Sequence, residues 1–298
     1  MEPLMLAATA PATAERAGFP AWHFHADVWV LVALLVGAYV LALRAYSART
    51  GRPAATRRQK TAFAGAVLTI FIASDWPVHD VAEGYLYSAH MVQHMLMTLI
   101  AAPLFLLGTP EWMARRILSP PWLLRTVKTV AKPVPNLIQA NTILVLSHWP
   151  LIVEGTVEFH PLHFVAHAVL LTSALLMWMP VVSPLPEVPR LPPLMQMLYL
   201  FLQTIVPTVP ASFLTFGEGL LYKVYGEFPR LWGISAITDQ QVAGLVMKIG
   251  AGLYLWAVII VIFFRWYERE ERQARNVLVW EDVERELDEL ERPGAGNR

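Results

Sequence analysis

Apolar residues run through seven stretches of the chain, at about 27–46, 61–77, 90–108, 137–153, 161–182, 194–216 and 242–264. A helix needs about 20 mainly apolar residues to cross the hydrocarbon core of a bilayer. The pattern therefore predicts an all-α integral membrane protein with seven transmembrane helices. The second and fourth stretches are short, and each ends in Trp-Pro, at Trp76-Pro77 and Trp149-Pro150. Proline there predicts a helix end or kink, and tryptophan an anchor at the interface. Each Trp-Pro leads through a short polar connection into a helix that opens with histidines.

The polar segments between the stretches fix an orientation. Arg44–Lys60 carries six Lys or Arg, Ala114–Lys132 five, the link at 183–193 one, and the tail from Arg265 seven. These four segments lie on one side. The other side holds only Arg16, Lys223 and Arg230, a ratio of 19 to 3, while Lys248 falls inside the last stretch. By the positive-inside rule the N-terminus is outside and the C-terminus cytoplasmic. Residues 1–26 then form an extracytoplasmic tail, uncleaved because it lacks a basic start and a long apolar run. Residues 27–264 form the membrane domain. Residues 265–298 form a charged cytoplasmic tail, expected to be helical with a weak stripe of Val283, Leu287 and Leu290, and to end in an unstructured PGAGNR.

Composition agrees. Of 298 residues, 56% are hydrophobic and 15% charged, against about 25% charged in a soluble domain. The formal net charge of zero gives no hint of a nucleic-acid partner. The absence of cysteine excludes disulfides, thiolate metal sites and thiol redox chemistry. Histidine, methionine and carboxylates remain as ligands.

The predicted topology puts all nine histidines on the outer half. His23 and His25 precede the first span and, on a tail, are the least expected to take part. His79 sits between the second and third spans, which His90 and His94 open. His148 ends the fourth, and His160, His163 and His167 open the fifth. Residues four apart share a helix face, so His90 and His94 make one imidazole pair and His163 and His167 another. Met91 and Met95 lie about 100° around the helix from the first pair, as soft ligands or as packing. Asp75, Asp80, Glu83, Glu154 and Glu158 lie at the same level, where carboxylates are either solvated or orient ligating imidazoles. Gln93 is on the first histidine face, and Asp239, Gln240 and Lys248 open the last span. A cation inside a span either reaches to the interface or belongs to a site. The outer loop 217–241 is expected to lie over the site as a short interfacial helix. The inner loop 109–136 is expected to be amphipathic.

Imidazole pairs at one membrane face admit three chemistries. They can bind copper, with methionine available for Cu(I). They can clasp a b-type haem between two helices. They can also hold a zinc that activates water, although the HExxH motif is absent, since the position after the first histidine of each pair is Met91 or Phe164.

The run SAHMVQHMLMTLIAAPLFLLGTP, the preceding His79-Asp80, the segment MWMPVVSPLPE, and TDQQVAGLVMKIGAG followed by FFRWYEREE resemble the CtaG family of cytochrome c oxidase assembly factors, of the bacterial seven-span type. The resemblance extends from about Trp22 to Glu271. It implies a multi-pass protein of the bacterial plasma membrane that serves assembly of a haem-copper oxidase and helps deliver copper, with no turnover chemistry of its own. Nascent cytochrome c oxidase subunits and the lipid bilayer are the implied partners, and a second copy of the chain is a further candidate. His79, Asp80, His90, Gln93, His94, Asp239 and Gln240 match the family motifs. The expected copper ligands are His90, His94, His163 and His167 with His79 or His148 nearby. Asp75, Asp80, Gln93, Asp239, Gln240 and Lys248 tune or orient them, and Met91 and Met95 are soft ligands. Zinc and haem b are the alternative occupants.

Overall fold

The structure, a computed structural model, describes residues 16–291. The start of the outer tail and the expected unstructured end lie outside them. The described chain is all-helical apart from one short bridge, in which Arg16–Ala17 (β1) pairs in parallel with Arg230–Leu231 (β2). The helices in chain order are α1 (Ala26–Thr50), α2 (Arg57–Ser74), α3 (Val78–Gly84), α4 (Tyr87–Gly108), α5 (Glu111–Ile117), α6 (Pro121–Val130), α7 (Pro133–Ser147) and α8 (Pro150–Glu158). There follow α9 (His160–Val182), α10 (Pro193–Gln203), α11 (Thr208–Phe216), α12 (Val224–Glu227) and α13, which runs Ala236–Leu245, Val246–Gly250 and Ala251–Glu291 without a break.

Five segments are long and apolar enough to cross a membrane: α1, α4, α9, α10 with α11, and α13 as far as Arg275. A sixth arises if α2 and α3, bent by 41° at Asp75–Pro77, are taken as one. The stretch at 137–153 is expected as one span, and the structure divides it instead. α7 has 15 residues, about 22 Å at 1.5 Å per residue, which is short of a bilayer core. Pro150 supplies no amide to continue the helix and holds Trp149 in extended backbone, so α7 ends at Ser147 and α8 starts afresh. His148 sits in that break.

α9 packs between α7 and α4, α2 lies along the lower half of α4, and α13 packs on α4 and α11. The largest apolar cluster, around Trp178, Tyr199 and Leu200, fills one half of the bundle. A second, around Tyr87, Leu214 and Tyr222, fills the other. α1 stands at the periphery with most of its apolar surface facing outward, as lipid-facing helices do. The α13–α11 crossing is close because Gly244 has no side chain. A Cβ there would lie 2.8 Å from the Ala211 carbonyl oxygen, 2.9 Å from the Thr215 amide nitrogen and against the Thr215 hydroxyl. Gly244→Ala is expected to lower stability by about 1–3 kcal/mol through overpacking, read as a lower thermal midpoint in detergent.

Two short π-helical segments interrupt the long helices, Leu96–Ala101 in α4 and Val246–Gly250 in α13. Met95 packs onto Gly250 at this level, its Cε 3.0 Å from where a Cβ would stand. The loop 109–136 folds largely as α5 and α6, and its Trp112 donates to the Ala54 carbonyl at 2.7 Å. The tail continues α13 as a helix on which Val283 and Leu287 are exposed.

Candidate metal centre

α4 and α9 each present an HxxxH pair, and the two pairs meet. Within pairs the ring centroids are 4.2 Å apart, for His90–His94 and for His163–His167. Across the interface His94 and His167 are 5.0 Å apart, His90 and His167 5.7 Å, and His90 and His163 5.8 Å. His167 Nε2 lies 3.1 Å from His94 Nε2 and 3.1 Å from His163 Nε2. His90, His94 and His167 each bring a ring nitrogen within 4.8 Å of the other two, the one such group of three metal-binding side chains among the described residues.

An imidazole nitrogen holds either one proton or one lone pair. His167 Nε2 therefore satisfies one of its two neighbours at a time, whereas a cation satisfies all three lone pairs together. Imidazoles bound to one tetrahedral ion at about 2.0–2.1 Å stand about 3.3 Å apart at the donor atoms, close to the spacing found. The Nδ1 atoms of His90 and His94 are buried without partners. The donor set, all imidazole, suits copper or zinc.

Carboxylates form a layer outside this group. Glu83 Oε1 lies 2.9 Å from His163 Nδ1 and 3.1 Å from His79 Nδ1. An anion at Nδ1 favours the tautomer with its proton there and leaves the Nε2 lone pair free for a ligand. Gln93, fully buried, is 3.3 Å from His79 through Nε2 and connects that ring to α4. Asp75 Oδ1 accepts from His25 Nδ1 at 3.1 Å, and Asp80 Oδ1 lies 3.7 Å from His25 Nε2 and 3.4 Å from His23 Nδ1. The segment before α1 reaches this layer because Phe19 packs edge-on against Trp76, whose indole donates to the Pro20 carbonyl.

His148 is a neighbour of the group, its ring 6.5 Å from that of His94. Asp239 lies away from the imidazoles and acts on their helix. Its carboxylate accepts from the backbone amides of Tyr87 at 2.7 Å and Ser88 at 3.0 Å, and from the Ser88 hydroxyl. These are orphan amides of the first turn of α4, so Asp239 fixes where that helix begins. Gln240 pins the loop before α12 instead, accepting from the Leu221 amide at 2.6 Å and donating to the Gly219 carbonyl at 3.2 Å. Lys248 is exposed on α13 and bonds the Thr208 hydroxyl, so it faces away from the imidazoles. Met95 lines a cavity beside the group, and Met91 lines both that cavity and the smaller one between α4 and α9. The loop 217–235 carries a short helix, α12, and caps the site with Tyr222 and Tyr225, packed edge-on against Tyr87 at 4.9 and 4.8 Å.

The family model for the cytochrome c oxidase caa3 assembly factor, Caa3_CtaG, matches residues 37–269. The chain belongs to this family. No curated protein and no solved structure matches it. For a Caa3_CtaG protein the match spans every helix that bears the imidazole group, and it excludes the segment that carries His23 and His25.

Glu83, one of the carboxylates expected to be solvated or to orient imidazoles, lies beside two of them, and His25, expected to stand apart, reaches Asp75. Glu83 is four residues after His79 on α3, a spacing that was available as a signal. His25 had none, since only β1 and the Phe19–Trp76 contact bring it back over Asp75. Glu83→Gln keeps the shape and removes the charge. It is expected to weaken metal binding about 10–100-fold, as loss of an outer-shell partner does, measured by competition with a chromophoric chelator.

Proposed function

We propose that this Caa3_CtaG protein binds copper at the outer face of the bacterial plasma membrane and presents it to a nascent subunit of the haem-copper oxidase. His90, His94 and His167 hold the ion, with His163 as the fourth imidazole, and His79 and Glu83 control access to it. In this reading α2 with α3 and α7 with α8 are broken spans. The helices then number seven, with the N-terminus outside and the C-terminus cytoplasmic, in keeping with the 19-to-3 distribution of Lys and Arg. The observation that carries the proposal is the convergence of Nε2 atoms at 3.1 Å from two helices in an assembly factor that has no cysteine.

Ligand type and family favour copper, and the geometry speaks against haem and against a hydrolase. A haem needs a flat slot between its axial imidazoles, whereas here the rings of α4 and α9 touch. A hydrolase needs a carboxylate beside the metal-bound water, whereas Glu83 stands behind His163 at Nδ1. Three imidazoles without a thiolate bind copper and still release it, which a carrier requires.

The test is the metal content of the detergent-purified protein after copper loading, together with oxidase activity in cells whose own copy is deleted. Stoichiometric copper, and oxidase activity restored by the wild-type chain but not by His90→Ala/His94→Ala, is expected. A protein that takes up no copper yet restores the oxidase would sink the carrier mechanism and leave a scaffold.

A further inference from the structure

A cavity of about 110 Å³ adjoins the imidazole group. Four of the eleven methionines, Met91, Met95, Met177 and Met247, line it together with His94 and His148. The rest of its wall is mostly aliphatic, with Asn141 and Gln203 among the few polar side chains. His94 and Met91 also line the smaller cavity between α4 and α9, so the two spaces share a wall.

Methionine fills irregular gaps in many cores, and four around one cavity could be packing. His148 argues otherwise. Its Nδ1 donates to the Leu144 carbonyl at 2.7 Å, which leaves the lone pair on Nε2. That Nε2 is buried and has no partner. A buried acceptor without a partner is costly and uncommon. A histidine whose other nitrogen is tied to a backbone carbonyl is the usual form of a metal-ligating imidazole. The aliphatic wall is hostile to a strongly hydrated divalent ion. Thioethers select Cu(I).

The geometry points to a second metal site in this cavity, one that takes a soft monovalent cation, Cu(I), between His148 Nε2 and the thioethers of Met95 and Met247. His94, common to both cavities, lets an ion move from imidazole to thioether ligands without leaving the protein. The inference rests on the copper reading of the imidazole group for the identity of its ion. It adds a thioether position from which a monovalent ion can be held or handed on.

Silver(I), a redox-inert stand-in for Cu(I), and zinc(II), which thioethers bind poorly, separate the two sites in the full-length protein in detergent. Wild type is expected to bind two equivalents of silver and one of zinc. Met95→Leu/Met247→Leu, which keeps the volume, is expected to lose one silver and keep the zinc, and His148→Ala to do the same. His163→Ala/His167→Ala is expected to lose the zinc and keep the thioether-bound silver. Size-exclusion profile and tryptophan fluorescence check that each variant is folded. X-ray absorption of the Cu(I)-loaded protein is expected to show sulfur scattering that disappears in the methionine variant. Equal silver uptake by wild type and Met95→Leu/Met247→Leu, with nitrogen scattering alone, would overturn the inference. Zinc retained by His163→Ala/His167→Ala would instead overturn the imidazole site and leave the thioether site standing.

Discussion

His94→Ala/His167→Ala is expected to strip the protein of copper while its helices stay folded. The two rings meet at Nε2, and His167 also meets His163 there, so the pair removes the centre of the group. Loss of an outer-shell partner costs about 10–100-fold in affinity. Loss of two donors is expected to exceed that and to abolish binding at micromolar metal. Fold should survive, because both rings border cavities, so truncating them enlarges existing space. His160→Ala is the control, being exposed at the start of the same helix. Inductively coupled plasma analysis reads the metal, and far-ultraviolet circular dichroism the fold. If the double variant holds as much copper as His160→Ala, the imidazole group is not the site.

Asp239→Ala is expected to be the most destabilising of the single changes, although it touches no ligand. Asp239 is almost wholly buried, at 2% exposure, and accepts from both the Tyr87 and Ser88 amides. Hydrogen bonds to a charged group contribute about 1.5–3 kcal/mol each, and a bare buried amide costs about 1–3 kcal/mol. These overlap, and a total of about 3–5 kcal/mol is expected. The carboxylate also complements the positive end of α4. Asp239→Asn, which keeps the shape and can still accept, should fall between. Unfolding in detergent by rising temperature measures the order wild type, Asp239→Asn, Asp239→Ala. Metal affinity should follow the same order, since His90 and His94 are the first and second turns of the helix that Asp239 anchors. A variant with unchanged stability and lower affinity would assign Asp239 to the ligand group itself.

The helices and the imidazole pairs were legible in the sequence because both depend on local spacing. A run of about 20 apolar residues announces a span, and four-residue spacing announces a shared face. What joins α4 to α9 is not local. Nothing in the order of residues says that His167 meets His94 rather than His79, because that follows from how α9 packs between α4 and α7. The role of Asp239 was hidden for the same reason, since a carboxylate expected to orient ligands instead holds the start of another helix. The break at His148 was half legible. Trp149-Pro150 marked a kink, but not that the kink would turn the histidine toward a methionine-lined cavity. Lys248 shows the opposite case, a charge within a span that drew notice by cost and proved to face outward toward Thr208.

The π-helical turn at Leu96–Ala101 has a bearing on phase. A π turn holds one residue more than an α-helix needs for the same advance, and one residue is about 100° of rotation. The turn separates the half of α4 that carries His90 and His94 from the half that Gly108 seats against the backbone of Phe63 on α2. With the lower half fixed there, the surplus residue works as a vernier that sets the compass bearing of the imidazoles. Delete it, and the helix closes into regular α geometry with both histidines swung about a quarter-turn off α9.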